Sequence, residues 1–326
     1  MNLTLVGAGA WGTALGVLLH QNGHHITVWG HNPEHLEEMK RNRRNQRHLP
    51  GVELPQSWRY EPDLPLAARE AETVVLAVPS RCFREISSRM GNFSGTAVSA
   101  TKGIEFVTGQ TMCGILRETM PAARIAALSG PSLALEVARG VPTAVVAASR
   151  DPAVAHDVQA WFHRPTFRVY TSDDLAGVEL GGALKNVMAI AAGVCDGLGF
   201  GDNSKAALLT RSTAEMSRLG VACGARAETF AGLSGLGDLT VTCFSKLSRN
   251  RTFGERLGRG EPLDQILASS LNVVEGHPTA RAALSLARKH SLYAPIVTEV
   301  HGMLYEGKEP RQAVSDLLNR DSRAER

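Results

Sequence analysis

Short apolar runs rich in Val, Ile, Leu and Ala recur through the first half of the chain, at Met1 to Val6, His25 to Trp29, Thr73 to Val78, Thr96 to Ala100, Arg124 to Ser129, Thr143 to Ala147 and Phe167 to Tyr170. Segments of helical character separate them. Such alternation predicts a mostly parallel sheet covered by helices. Several runs end in polar or turn residues, namely Pro79-Ser80, Thr101-Lys102-Gly103 and Gly130-Pro131-Ser132. In an open α/β sheet these carboxyl ends line the ligand crevice. After about Thr171 the strand pattern gives way to Ala/Leu/Gly-rich segments of helical period, which predict helices over Leu175 to Cys195, Ser204 to Ala222, Pro262 to Ser269, Pro278 to His290, Pro295 to Tyr305 and Pro310 to Asn319. Residues 1–172 therefore read as one α/β domain and residues 173–326 as a second, all-helical one. No internal repeat is present.

The first run leads directly into Gly7-Ala8-Gly9-Ala10-Trp11-Gly12 and then a helical stretch, Thr13 to Gln21. A strand, a GxGxxG turn and a helix in that order are the signature of a dinucleotide-binding turn in a Rossmann-like domain. Without a Cβ, Gly7 and Gly9 let the backbone turn tightly and a pyrophosphate approach, and Gly12 lets the helix pack on the strand. The helix N-terminus then offers unpaired N–H groups to the phosphates. The second strand ends in Gly30-His31-Asn32 with no carboxylate, where an acid would bond the 2′-hydroxyl of NAD and repel the 2′-phosphate of NADP. This favours NADP, or use of both; His31 as a plain turn residue is the alternative.

The length of 326 residues suits two domains, and a formal charge of +3 gives no reason to expect a nucleic-acid or membrane partner. The basic stretch Lys40 to His48 lacks interleaved aromatics and lies among Glu34, Glu37, Glu38 and Glu53. It reads as a solvated helix end and loop, and any further role suited to its place after the second strand would be holding a 2′-phosphate. Cys82, Cys113, Cys195, Cys223 and Cys243 are odd in number and widely spaced, which fits a reducing compartment rather than a disulfide framework or zinc site. The histidines offer no metal constellation. No Lys or Arg precedes Lys40, so the apolar start lacks the basic region of a signal peptide, and Glu179, Lys185 and Asp196 interrupt the longest apolar segment. A cytoplasmic protein without a membrane span is expected. The charged stretch Arg320 to Arg326 reads as a solvated tail.

Three groups are candidates for chemistry. Lys185 stands alone in an apolar segment, with no other Lys or Arg between Arg168 and Lys205. An ammonium held against apolar surface loses hydration and becomes a plausible proton carrier near neutrality, or else it snorkels at a helix edge. Lys102 follows a predicted strand and can reach the crevice. Ser248-Arg249-Asn250-Arg251, after Gly235-Leu236-Gly237-Asp238, offers a guanidinium and an amide that can grip a phosphate, or a solvated loop.

Gly7 to Gly12, Ala100 to Gly103, Ser129 to Ser132, Gly182 to Asn186, Gly197 to Asn203, Gly235 to Leu239, Ser248 to Asn250 and Val273 to Gly276 together resemble the NAD(P)-dependent glycerol-3-phosphate dehydrogenase family, of the bacterial biosynthetic type, in order and over nearly the whole chain. The resemblance implies Lys185 as proton acceptor, Lys102 touching both substrate and cofactor, and Asp238 in the catalytic hydrogen-bond network. It implies substrate contacts at Gly130, Ser132, Ser248, Arg249 and Asn250, chiefly to a phosphate. Cofactor contacts, with NADP or NAD, are implied at Ala10, Trp11, His31, Ala134, Arg249, Val273 and Glu275. Ala10 stands where relatives often carry Ser, so that contact is left to the backbone. A small phosphorylated substrate, a possible homodimer and a role in phospholipid synthesis are further implications. A β-hydroxyacid type dehydrogenase and a non-catalytic NADP sensor are the rival expectations.

Overall fold

The computed structural model describes residues 1–269 and 273–320, so the expected tail beyond Arg320 lies outside the described residues. The chain forms two compact units, one from Met1–Lys102 with Gln110–Glu179, the other from Gly103–Gly109 with the residues from Leu180 onward.

In the first unit the order is β1 (Asn2–Val6), α1 (Ala10–Gln21), β2 (His25–Trp29), α2 (Pro33–Asn42), β3 (Arg44–Asn45), β4 (Leu49–Glu53), β5 (Arg59–Tyr60), α3 (Leu64–Arg69), β6 (Thr73–Leu76), α4 (Phe83–Ser88), β7 (Thr96–Ser99), α5 (Met112–Thr119), β8 (Arg124–Ser129), α6 (Ala134–Ala138), β9 (Thr143–Ala148), α7 (Pro152–Phe162) and β10 (Phe167–Ser172). Eight strands make one sheet, ordered β10-β9-β8-β7-β6-β1-β2-β5 and parallel except where β8 meets β9. All seven apolar runs are strands of this sheet. Helices cover both faces, which is why β1, β6 and β7 are buried almost without alternation. Two buried clusters result, one around Leu5, Leu15 and Val98, the other around Val6, Leu76 and Phe83. Because β1 pairs with β2 on one side and β6 on the other, the chain order reverses there, and the glycine turn leaves β1 at this switch point.

The β3–β4 hairpin was not expected. Its first strand lies in the basic stretch and its second just beyond, and it is tied down by a polar residue: Asn45, fully buried, donates through Nδ2 to the Ala8 carbonyl at 3.0 Å and to Thr13 Oγ1 at 2.8 Å. The rest of the stretch is a largely exposed helix end and loop, as expected, and Asn45 alone is buried against the glycine turn.

Helix α8 (Leu175–Gly197) begins in the first unit and continues into the second. There follow α9 (Asp202–Ala222), α10 (Asp238–Phe244), α11 (Arg249–Gly258), α12 (Leu263–Ser269), α13 (Gly276–Lys289), α14 (Pro295–Tyr305) and α15 (Pro310–Leu318). The expected helices are all present, with ends moved by one or two residues. By length and composition α8 could cross a membrane, but 94% of its apolar window is buried within the protein, as in a core helix. Its glycines cost helix propensity and are offset by close packing. A Cβ on Gly193 would stand 2.0 Å from the Arg251 carbonyl, and one on Gly254 2.0 Å from that of Ile190. Backbone therefore meets backbone between α8 and α11, and Lys185-Asn186 is brought beside Asn250.

Candidate active site

In the first unit the glycine turn has the shape that a dinucleotide requires. Gly7 has φ +125°, and a Cβ there would lie 2.6 Å from the Ala77 carbonyl; one on Gly12 would lie 2.1 Å from the Gly7 carbonyl. Both positions exclude a side chain. A Cβ on Gly9 would meet nothing within 4 Å, so this glycine keeps open the space into which α1 points its uncapped N-terminus. Trp11 is half-buried nearby, and its indole N–H is buried without a hydrogen-bond partner. An open glycine and an orphaned donor at a helix N-terminus fit a dinucleotide phosphate. His31 is exposed just beyond β2, and Asn32 caps α2 by accepting from the His35 N–H at 3.1 Å.

At the ends of β7 and β8 the structure joins three of the expected residues. Lys102 Nζ and Ser132 Oγ both donate to the Gly130 carbonyl, each at 2.9 Å. Gly130 has φ +133°, and a Cβ would press on Val145 Cα at 3.0 Å, so the tight turn after β8 depends on glycine. Ser129 Oγ is buried here without a partner, and Ala134 opens α6.

In the second unit a π-helical turn, Leu233–Gly237, delivers Asp238 to the start of α10. Lys185, on α8, is 7% exposed, and its Nζ lies 2.9 Å from Asp238 Oδ1 while donating to Thr242 Oγ1 at 2.7 Å. The Thr242 hydroxyl in turn donates to the Asp238 carbonyl at 2.6 Å. The lone lysine therefore does not rest on apolar surface alone, as its neighbours in sequence suggested. It sits in a buried polar trio, and it does not snorkel. Cys243 adjoins the trio, and burial pushes its thiol up to about 12, so it is inert as a nucleophile.

A second set of bonds prolongs the trio. Asn250 Nδ2 donates to Asn186 Oδ1 at 2.8 Å, and Asn250 Oδ1 accepts from the Gly276 N–H at 2.9 Å. Ser248 is the N-cap of α11, accepting from the Arg251 N–H at 3.2 Å. The expected solvated loop is thus a helix start, and Arg251 is buried against Asp196 at 2.7 Å and Glu255 at 2.9 Å. Arg249 is exposed at the first position of α11. Its guanidinium is charged at any ordinary pH, and Glu275 offers it an opposite charge. Val273 and Glu275, both half-buried, precede α13.

Thr242 and Asn186 were not singled out from sequence. Spacing offers one clue: Asp238 and Thr242 are four apart, hence on one face of α10. Asn186 simply follows Lys185. Among the described residues no group of three or more His, Cys, Asp and Glu is placed to hold a metal ion.

Comparison with known proteins gives this arrangement a family. The family model described as the NAD-dependent glycerol-3-phosphate dehydrogenase N-terminus matches residues 2–155, and that for the C-terminus of the same enzymes matches residues 174–315. Glycerol-3-phosphate dehydrogenase [NAD(P)+] of Citrifermentans bemidjiense is 47% identical over 99% of this chain and 98% of its own length. The protein of the same name from Thioalkalivibrio sulfidiphilus is 48% identical, with the same coverage. The crystal structure of glycerol-3-phosphate dehydrogenase from Coxiella burnetii superposes with a TM-score of 0.94 at 37% identity, covering 98% of this chain and 99% of that one.

Proposed function

This chain belongs to the NAD-dependent glycerol-3-phosphate dehydrogenase family, and from that premise we propose how its own side chains carry the reaction. The enzyme interconverts glycerol 3-phosphate and dihydroxyacetone phosphate with NAD(P) as coenzyme. When bound, the coenzyme would supply or accept the hydride at C2. Everything else falls to the protein.

Lys185 moves the proton. In the reducing direction its ammonium donates to the carbonyl oxygen of dihydroxyacetone phosphate, offsets the negative charge growing there and passes a proton from Nζ to the new alcohol. In the oxidising direction the amine takes that proton back. Asp238 and Thr242 fix the nitrogen in position, and Asp238 balances its charge. The single observation that carries this reading is the nearly buried Lys185 ammonium held at 2.9 Å from Asp238 and 2.7 Å from Thr242.

Arg249 supplies the cation for the substrate phosphate, with planar, directional donors. Ser248 Oγ and Asn250 already serve the protein, yet the serine O–H and one Asn250 N–H remain as donors for the phosphorylated substrate. Lys102, Gly130 and Ser132 form the second substrate group, with Lys102 also facing the coenzyme. Gly7, Gly9, Ala10, Trp11 and Gly12 hold its phosphates, and His31, Ala134, Arg249, Val273 and Glu275 complete the coenzyme contacts. The domains 1–172 and 173–326 share the labour, the first carrying most of the coenzyme contacts together with Lys102, Gly130 and Ser132, and the second carrying Lys185, Asp238 and the remaining substrate contacts together with Arg249, Val273 and Glu275. We read the enzyme as a cytoplasmic homodimer supplying glycerol 3-phosphate for phospholipid synthesis; five unpaired thiols suit a reducing compartment.

Following NADH and NADPH oxidation with dihydroxyacetone phosphate, beside oxidation of 3-hydroxy acids, tests the reading. Turnover confined to the triose phosphate and lost with Lys185→Ala supports it. Turnover of hydroxy acids, or undiminished activity of the variant, contradicts it.

A further inference from the structure

The coenzyme's adenosine end belongs beyond β2, and the structure brings a second segment there. Asn45 ties the β3–β4 hairpin to the glycine turn through Ala8 and Thr13, and its Oδ1 accepts from the His48 N–H at 3.2 Å, which shapes the turn Asn45 to His48. The His48 ring packs edge-on against that of His35, with centroids 5.4 Å apart, and His35 stands in the first turn of α2, capped by Asn32. The Gln46-Arg47 tip is therefore fastened at two points, to the phosphate-facing turn and to the element following β2. Burial lowers the pKa of His35, and the positive charge of Arg47 pushes it the same way. Glu38, 4.0 Å from His35 Nδ1, is the nearest opposing charge.

We propose that the Asn45–His48 turn is the 2′-phosphate site of NADP(H), with Arg47 as its guanidinium. The proposal rests on the coenzyme reading given above and names the residue that would set coenzyme preference. At the end of β2, where NAD-specific sites carry a ribose-binding acid, the chain has Gly30-His31-Asn32. Arg47 is exposed and makes no ion pair among the described residues, whereas Arg43 is engaged with Glu53 at 2.9 Å. Its planar fork matches the geometry of a phosphate dianion, and hydrogen bonds to charged groups are stronger than neutral ones. Asn45 holds the loop in place before any ligand arrives, which lowers the ordering cost of binding.

Equilibrium titration of the purified enzyme with NADPH and NADH, read by nicotinamide fluorescence without substrate, tests this. The wild type is expected to bind NADPH at least about tenfold tighter than NADH, and Arg47→Ala to lose about tenfold for NADPH while NADH stays within about twofold. Arg47→Lys, a point charge without the fork, is expected to fall between, and Arg43→Ala to leave both constants unchanged. Equal binding of the two coenzymes by the wild type, or an Arg47→Ala protein that weakens both or neither, overturns the proposal while the dehydrogenase reading stands. If the wild type binds neither coenzyme, the coenzyme site itself has been misread, and the proposal goes with it.

Discussion

Lys185 Nζ and Asp238 Oδ1 lie 2.9 Å apart, their side chains 9% and 1% exposed. A buried ion pair gains little over an apolar pair of equal volume, but removing one partner strands the other. The pair is thus better explained by chemistry than by stability. Asp238→Asn is expected to lower turnover at least tenfold and to cost on the order of 3 kcal/mol of stability, since an ammonium is left buried without its counter-charge. Thr242→Val, which keeps shape and removes only the hydroxyl, is expected to cost about 1 kcal/mol and a smaller share of turnover. Urea unfolding beside steady-state rates measures both; a larger kinetic loss in Thr242→Val than in Asp238→Asn contradicts the ranking.

The glycine turn separates folding from binding. A methyl on Gly12 collides with the Gly7 carbonyl, whereas one on Gly9 projects into open space. Gly12→Ala is expected to lower the melting temperature by several degrees, about 2 °C or more per kcal/mol for a chain of this size. Gly9→Ala is expected to melt with the wild type yet bind NAD(P)H at least about tenfold more weakly, because the methyl occupies the phosphate's approach. Thermal scans with and without coenzyme distinguish the two.

Glu215, buried on α9, accepts from the Ile296 N–H at 3.1 Å and the Val297 N–H at 2.8 Å and so caps α14, whose own N-cap Ala294 has no side-chain acceptor. Burial pushes its carboxyl up to about 7, against the opposing pull of those two backbone N–H groups. A raised carboxyl pKa means that the folded state binds the proton more tightly than the unfolded chain. Its contribution is fully present below the unfolded value near 4.5 and is lost as pH rises towards 7. The loss amounts to about 3 kcal/mol at most. Glu215→Gln is expected to flatten stability between pH 4.5 and 7. Denaturant midpoints across that range check it; an unchanged slope in the variant places the titration elsewhere.

Much of this fold is legible in the sequence because its signals are local. The seven apolar runs, the glycine turn and the Ala-rich helices each depend on neighbours within a turn or a strand. Lys185 could be picked out because it interrupts an apolar helix. Its partner Asp238 could not be paired with it from sequence, since 52 residues intervene and the contact depends on α8 packing against later helices. The hairpin tied by Asn45 is equally hidden: a buried polar residue in a run of arginines leaves no trace in hydropathy. The 103–109 segment, which groups with the helical unit although it interrupts the first, carries no compositional mark either.

The central claim is that Lys185 carries the proton. Rapid-mixing turnover of dihydroxyacetone phosphate by Lys185→Ala, with the NAD(P)H dissociation constant measured on the same preparation, tests it most directly. The expected result is turnover reduced at least about a hundredfold with coenzyme affinity within about twofold of wild type. Turnover within a few fold of wild type would contradict it.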